Sequence, residues 1–308
     1  MSKMVVVGTG TMADGIGAGF LQAGYEVVFL GRDEARTRGA AERSIGIAQA
    51  LGAVAGRAAL GSASTGTIDG WNDWDRVDWV VETVAEDLPL KQALFASLDA
   101  RVPAHVPIGS NSSGFPIGRI AAGLPTRRRM FNAHYFMPAH LVPLVEIALG
   151  ADSDPALGEQ VCELYRQAGK KPVLVRRDIP GFLANRIQHA LMREALSLID
   201  SGIASPSDVD TAVRYSFGFR YAAAGPILQK EISGWDGMAR AAAEIYPSLS
   251  NTEVLSECVS ALMAEGRVGM KSGAGFETWS PEAAALERAA YERRLKAAFE
   301  VLQLDGGA

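Results

Sequence analysis

The run Met4-Val5-Val6-Val7-Gly8-Thr9-Gly10-Thr11-Met12-Ala13 limits what this chain can fold into more than any other segment. Four consecutive apolar residues, Met4 to Val7, suit a strand covered on both faces, as in a parallel sheet. A helical pattern follows from Met12 to Ala23 with Gly24 as its C-cap, and Val27 to Leu30 supplies a second strand. Strand, glycine turn, helix and strand in that order form the repeating unit of a parallel α/β sheet. Within the turn, Gly8 permits the sharp bend and Gly10 leaves the backbone open to a pyrophosphate, while Ala13 lets the helix lie close to the strand. The first N–H groups of that helix lack partners inside it and suit phosphate oxygens. The pattern predicts a bound dinucleotide; a tight turn that binds nothing is the alternative.

The end of the second strand bears on which dinucleotide. An NAD site carries Asp or Glu there for the ribose 2′-hydroxyl, whereas this chain reads Leu30-Gly31-Arg32-Asp33. Gly31 takes the acidic position, and the Arg32 guanidinium can fork onto a 2′-phosphate, with Arg36 one helical turn further on. The reading leans to NADP over NAD. A one-residue shift that brings in Asp33 keeps NAD open.

Further strands are expected at 78–82, 106–109, 129–133 and 172–175, with an edge strand within 141–149 and room for a short one in 61–76. Helices are expected at 34–60, 90–98 and 155–168. After Asp178 strand-like runs become rare, and helical patterns occupy 185–201, 207–216, 226–246, 252–265 and 282–303. The expected fold is an α/β Rossmann domain with a mostly parallel sheet over 1–182, followed by an all-helical domain over 183–308. A net charge of -5 argues against a nucleic-acid partner. Cys162 and Cys258 have no metal-ligand spacing and fall in helical patterns as small buried hydrophobes, and no metal is expected. The amino terminus lacks a signal-peptide layout and no run of 18 apolar residues exists, so a cytoplasmic protein with no membrane partner is expected.

His134 follows the strand near Met130-Phe131-Asn132 and is placed in a loop at its carboxyl end, where open α/β sheets bind ligands. A neutral imidazole there can take a hydroxyl proton. Glu146, an acid inside the apolar run Leu144-Val145-Glu146-Ile147, needs a buried partner, and the far side of that imidazole meets the need. A surface histidine with an edge-strand glutamate is the competing reading. Ser110-Asn111-Ser112-Ser113-Gly114 offers hydroxyls and an amide to a substrate oxygen or a ribose, or else a cap and turn. Asn185 opens the long helix after the linker and either faces the cleft or caps that helix.

These segments resemble the L-3-hydroxyacyl-CoA dehydrogenases and their relatives acting on free hydroxy acids. The likeness includes the fingerprint at 8–13, Val81-Glu82-Thr83-Val84-Ala85-Glu86, the serine motif, His134-Tyr135-Phe136 and Leu144-Val145-Glu146. It continues through Pro180-Gly181-Phe182-Leu183-Ala184-Asn185-Arg186 and Lys271-Ser272-Gly273-Ala274-Gly275-Phe276. The resemblance implies that His134 is the base and Glu146 its orienting acid, with Ser113 and Asn185 on the substrate oxygen. It also implies a helical C-terminal domain that forms a homodimer. The expected cofactor contacts are Gly8, Gly10, Thr11, Met12, Ala13, Gly31, Arg32, Glu86, Lys91 and Ser110. One departure stands after the histidine, where the family has Asn-Pro and this chain has Met137-Pro138. Met137 cannot make the amide's hydrogen bonds, and His140 is the available substitute.

For the substrate, a coenzyme A thioester brings phosphates that attract basic residues, and after the second strand mainly Arg43 and Arg57 are on offer. The stretch Gly218-Phe219-Arg220-Tyr221-Ala222 looks like the branch that includes gulonate and carnitine dehydrogenases. Arg220 is expected to clamp a carboxylate and Trp235 to wall the pocket; a surface arginine and a packed tryptophan are the plain alternatives. The expected activity is hydride transfer between NAD(P) and a small 3-hydroxy acid, or its keto acid, with a free carboxylate. A short-chain 3-hydroxyacyl-CoA dehydrogenase and a non-catalytic dinucleotide-binding protein are the rivals.

Overall fold

The structure, a computed structural model, describes residues 2–55 and 60–303. It divides into two compact units, Met1–Arg186 and Ile187–Ala308. Arg57 lies outside the described residues.

The first unit is built on eight strands: β1 (Lys3–Val7), β2 (Glu26–Gly31), β3 (Ala63–Thr67), β4 (Val77–Glu82), β5 (Ile108–Ser110), β6 (Met130–Tyr135), β7 (Leu144–Leu149) and β8 (Lys171–Val175). They form one sheet in the order β3-β2-β1-β4-β5-β6-β7-β8, parallel throughout except for β6 against β7. The helices of this unit are α1 (Thr11–Gln22), α2 (Glu34–Ala55), α3 (Leu88–Arg101), α4 (Ile117–Ile120) and α5 (Pro155–Gln167). Alternation across the pleat explains the unbroken apolar run of β1. Met4 and Val6 belong to a core with Ile16, Phe20 and Leu21 of α1 and Val161 and Tyr165 of α5. Val5 and Val7 belong to a second core with Leu94, Phe95 and Leu98 of α3. Both faces are covered, so neither set of side chains can be polar.

Strand order reverses at β1, which pairs with β2 on one side and β4 on the other. The crevice beyond the carboxyl ends of the strands at such a switch point is where open α/β sheets take their ligands. The short strand expected within 61–76 is β3. The strand expected at the edge, β7, is not at the edge, because β8 pairs along its outer side.

The second unit contains the remainder of α6 (Ala184–Asp200), then α7 (Pro206–Tyr215), α8 (Phe217–Tyr221), α9 (Pro226–Ser233), α10 (Trp235–Ile245), α11 (Glu257–Ala264) and α12 (Pro281–Gln303). The single helix expected over 226–246 is two helices, broken at Gly234 where φ is 89°. That left-handed conformation interrupts the helical hydrogen bonds and suits glycine. Asp200 accepts hydrogen bonds from the N–H groups of Glu257 and Cys258 at the start of α11. Both cysteines are free thiols; Cys162 is buried, whereas Cys258 is only partly so, because it sits at that exposed helix start. Among the described residues, no helix is long and apolar enough to cross a membrane.

Candidate active site

The glycine turn joins β1 to α1 at the centre of the sheet. Gly8 adopts φ 137°, and a Cβ there would lie 2.2 Å from Thr83 Oγ1, so only glycine fits between the ends of β1 and β4. A Cβ on Gly10 would meet nothing within 4 Å, and no side chain caps the helix that Gly10 begins. The turn thus presents uncapped N–H groups to open space, as a pyrophosphate requires. Thr11 is exposed, Met12 half-buried and Ala13 buried. Asp14 would oppose a phosphate, but Arg43 of α2 neutralises it, with Nε 2.7 Å from Oδ2 and Nη2 3.1 Å from Oδ1. Arg43 Nη2 also donates to the Thr9 carbonyl at 3.1 Å. The residues present fit a dinucleotide.

At the end of β2, Gly31 is buried, and a Cβ there would meet Thr37 Cγ2 at 2.8 Å and Thr9 Cγ2 at 3.0 Å. The crowding explains why no acidic side chain occupies this position. Asp33 Oδ1 accepts from Arg36 N at 2.8 Å and so caps α2. Arg32 and Arg36 are exposed.

His134 lies inside β6 rather than in the loop beyond it, and Glu146 is its cross-strand partner on β7. Antiparallel pairing brings the two side chains to one face, with Nδ1 2.8 Å from Oε2. Both are buried, Glu146 completely. The other oxygen, Oε1, accepts from Leu183 N at 3.0 Å and Ala184 N at 2.7 Å, at the start of α6. Three hydrogen bonds, two of them from backbone N–H groups at a helix start, satisfy both oxygens of this buried carboxyl group. Asn185 follows directly, half-buried in the first turn. Phe136 and Phe182 flank the imidazole at centroid distances of 4.7 and 5.4 Å. Phe182 holds a left-handed φ of 46°, a conformation that costs a large residue energy and places its ring beside His134.

The serine motif leaves β5 next to β6. Asn111 Oδ1 accepts from Tyr135 N at 3.0 Å, tying the motif to the residue after His134. Asn132, buried on β6, accepts from Ile117 N at 2.6 Å and donates to the Phe115 carbonyl at 3.0 Å. Ser113 is exposed between these anchors, whereas Ser110 and Ser112 are buried. Lys91 is buried as well, its ammonium 2.7 Å from Glu82 Oε1, 3.3 Å from the Val84 carbonyl and 3.5 Å from Glu86 Oε2. Partial desolvation works to raise the Glu86 pKa, but hydrogen bonds from Ser112 and Gly114 and the charge of Lys91 hold it below the usual carboxylate value.

His134, Glu146 and the helix start that carries Asn185 are thus joined by hydrogen bonds, and Ser113 follows two residues after Asn111, which is bonded to Tyr135 N; all four residues belong to the first unit. Arg220 and Trp235 are in the second unit. Arg220 is exposed on α8, and Trp235 opens α10 with its Nε1 donating to Glu231. Met137 is exposed. Phe182 and Asn132 are functional candidates that the sequence does not single out, and the Asn111 amide, expected at a substrate oxygen or ribose, has its Oδ1 on Tyr135 N. For Asn132 the one available signal was a polar residue inside a buried strand. Glu82 enters the sequence reading only as part of a motif.

Residues 3–179 match the family model described as 3-hydroxyacyl-CoA dehydrogenase, NAD binding domain, and residues 181–279 match its C-terminal domain. The chain is 30% identical over 308 residues to a 5-formyl-3-hydroxy-2-methylpyridine 4-carboxylate 5-dehydrogenase of Mesorhizobium japonicum, covering 98% of each chain. It is 33% identical over 253 residues to an L-carnitine dehydrogenase of Streptomyces griseus, covering 81% of this chain and 75% of that one. A solved structure described as an NAD+ dependent dismutase, the 5-dehydrogenase of the same pyridine carboxylic acid, has a TM-score of 0.89 at 27% identity. That match covers 100% of this chain and 99% of the other.

Proposed function

This chain belongs to the 3-hydroxyacyl-CoA dehydrogenase family and is an NAD(P)-dependent oxidoreductase, and from that premise we propose that it oxidises a small 3-hydroxy acid bearing a free carboxylate. The single observation that carries the mechanism is the buried His134–Glu146 pair at 2.8 Å. Glu146 accepts a hydrogen bond from His134 Nδ1–H, which fixes the tautomer and leaves the Nε2 lone pair to accept a proton. When bound, the nicotinamide supplies the hydride acceptor. His134 takes the hydroxyl proton at Nε2, and Glu146 stabilises the imidazolium so formed. Ser113 and Asn185 hold the reacting oxygen. Gly8, Gly10, Thr11, Met12 and Ala13 hold the pyrophosphate end, and Glu86, Lys91 and Ser110 border the nicotinamide end.

Two observations favour a free acid over a thioester. The relatives at 30% and 33% identity are named for a pyridine carboxylate and for L-carnitine, neither name including coenzyme A. Arg43, the basic residue available for coenzyme A phosphates among the described candidates, has its guanidinium fork engaged by Asp14 and Thr9. Arg220 is the proposed carboxylate partner and Trp235 the proposed pocket wall. The test is cofactor reduction by purified protein with a panel of 3-hydroxy acids and their coenzyme A thioesters. Turnover of the free acids, lost in Arg220→Ala at unchanged cofactor affinity, supports the reading. Turnover of thioesters alone makes the chain a short-chain 3-hydroxyacyl-CoA dehydrogenase, and no reduction with either class sinks both.

A homodimer is also proposed, on the apolar side chains that the second unit leaves exposed.

A further inference from the structure

Glu82 ends β4 and is wholly buried, yet nothing in the proposed chemistry uses it. An ionised carboxylate at zero exposure is costly unless its oxygens are satisfied, and here both are. Oε1 accepts from Val84 N at 2.6 Å and from the Lys91 ammonium at 2.7 Å, and Oε2 accepts from Ser110 Oγ at 2.6 Å. Ser110 Oγ in turn accepts from Ser112 N at 3.2 Å. Ser112 Oγ donates to Glu86 Oε1 and accepts from Phe115 N at 2.8 Å. Glu86 Oε1 also accepts from Gly114 N at 2.9 Å, and its second oxygen lies 3.5 Å from Lys91, which returns to Glu82. Five residues from β4, the loop after it, α3, β5 and the serine motif close into one ring, through their side chains and, between Ser110 and Ser112, through the Ser112 backbone N–H.

The ring has a particular geometric consequence. Ser112 and Gly114, the residues on either side of Ser113, both donate to the same Glu86 oxygen. Ser113 is thereby held from both sides while the residue itself stays exposed. The inner end of the ring is at the sheet centre, where Glu82 pairs with Val7 in register and Thr83 N donates to the Val7 carbonyl at 2.8 Å. The support for Ser113 therefore begins at the residue next to the glycine turn.

We propose that Glu82 is a positioning residue, whose buried carboxylate closes the hydrogen-bonded ring that holds the backbone around Ser113 in one arrangement. The catalytic relevance of that arrangement rests on the proposed role of Ser113, but the ring itself does not. Gln at 82 keeps the shape and, with its amide oxygen in the Oε1 place, the bonds from Val84 N and Lys91, but its NH2 then faces Ser110 Oγ, so the charge-assisted bond that Ser110 donates to Oε2 is lost and the ring is weakened there.

The experiment is hydrogen–deuterium exchange on the full chain without substrate, read on peptides spanning 110–116, for Glu82→Gln and Ser112→Ala. Both variants are expected to exchange about tenfold faster there, the change that follows from losing one charge-assisted hydrogen bond, with peptides of the β1 and β4 core unchanged. Unchanged exchange at 110–116 in Ser112→Ala overturns the ring even where Glu82→Gln does not fold. The double variant Glu82→Gln/Lys91→Met separates positioning from charge balance, since it removes both buried charges. Positioning predicts that its melting temperature recovers while fast exchange at 110–116 and a KM for hydroxy acid raised about tenfold persist. Recovery of all three leaves Glu82 as a counter-ion to Lys91 and overturns the proposal. Altered exchange in a protein inactive toward every hydroxy acid refutes the function while keeping the ring.

Discussion

Glu146 meets two demands with one carboxylate, orienting His134 through Oε2 and anchoring Leu183 and Ala184 through Oε1. Glu146→Gln separates them. The amide oxygen can keep the two backbone donors, which leaves the amide NH2 facing His134 Nδ1 and forces the imidazole into the tautomer whose Nε2 carries the proton. Turnover is expected to fall by about 10³- to 10⁴-fold, as when the acid of a hydrolase triad becomes its amide, with cofactor affinity within a factor of about two. Retained turnover would remove His134 as base. The end of β2 yields a second prediction at this scale. Because Thr37 and Thr9 crowd Gly31, the position cannot take an acid without displacement, and the exposed Arg32 stands beside it. The relatives lend the lean to NADP no support, since the matched family model is an NAD binding domain and the similar solved structure is described as NAD+ dependent, so a 2′-phosphate grip is proposed on Arg32 alone. Arg32→Ala is expected to weaken NADPH about tenfold by fluorescence titration and to leave NADH unchanged. An equal loss for both cofactors counts against a 2′-phosphate grip.

Among the elements, the β6–β7 connection gains definition from Lys170, at the entry to β8. Its half-buried ammonium donates to the Ala139 carbonyl at 2.6 Å and the Val142 carbonyl at 3.0 Å, and stands 5.9 Å from the centre of the Tyr135 ring. The same connection lies close to α1, where a Cβ on Gly15 would come within 3.0 Å of Ala139 Cβ. Burial lowers the lysine pKa from 10.5 to about 8. The unfolded chain then holds more protons than the folded one between those values, so the cost of burying the charge is full below pH 8 and relieved as pH rises toward 10.5. Stability attributable to Lys170 should rise by about 3 kcal/mol across that window. In denaturant titrations, the wild type minus Lys170→Met difference should climb over that range, and a flat or falling difference contradicts the shift. Much at this scale was legible. β1, α1 and β2 follow from the glycine turn and apolar runs, and the change to helices after Asp178 follows from the loss of strand-like runs. The placement of His134 and of β7 was not. A charged or polar residue in a strand looks like a loop or an edge until its partner is known. Here each of the two residues supplies the other's partner from a strand 12 positions away in sequence. Glu82 escaped for the same reason, since the satisfaction of a buried carboxylate is set by tertiary contacts that no local pattern encodes.

At the scale of the molecule, the second unit poses a question that its own helices leave open. Its described residues include only Ala195 and Ala284 as buried apolar side chains. Phe219, Ile227, Leu228 and Ile232 on α8 and α9, and Ile203 and Val254 in loops, are exposed by 56% or more. Exposed apolar surface on this scale marks an interaction site rather than ordinary surface composition. A second copy of the same chain is the proposed occupant, since a two-fold contact lets one apolar face cover its twin. Purified protein is expected to elute at twice the 32.6 kDa chain mass in light scattering, with a melting temperature that rises with concentration. Ile232→Glu places a charge in that face and should shift the population to monomer at micromolar concentration, because an unpaired buried charge costs several kcal/mol at an interface. The first unit offers an internal control. His134, Glu146 and the glycine turn all belong to it, so the monomeric variant should still bind NADH. A monomeric wild type with a concentration-independent melting temperature would refute the dimer and leave the first unit's chemistry untouched.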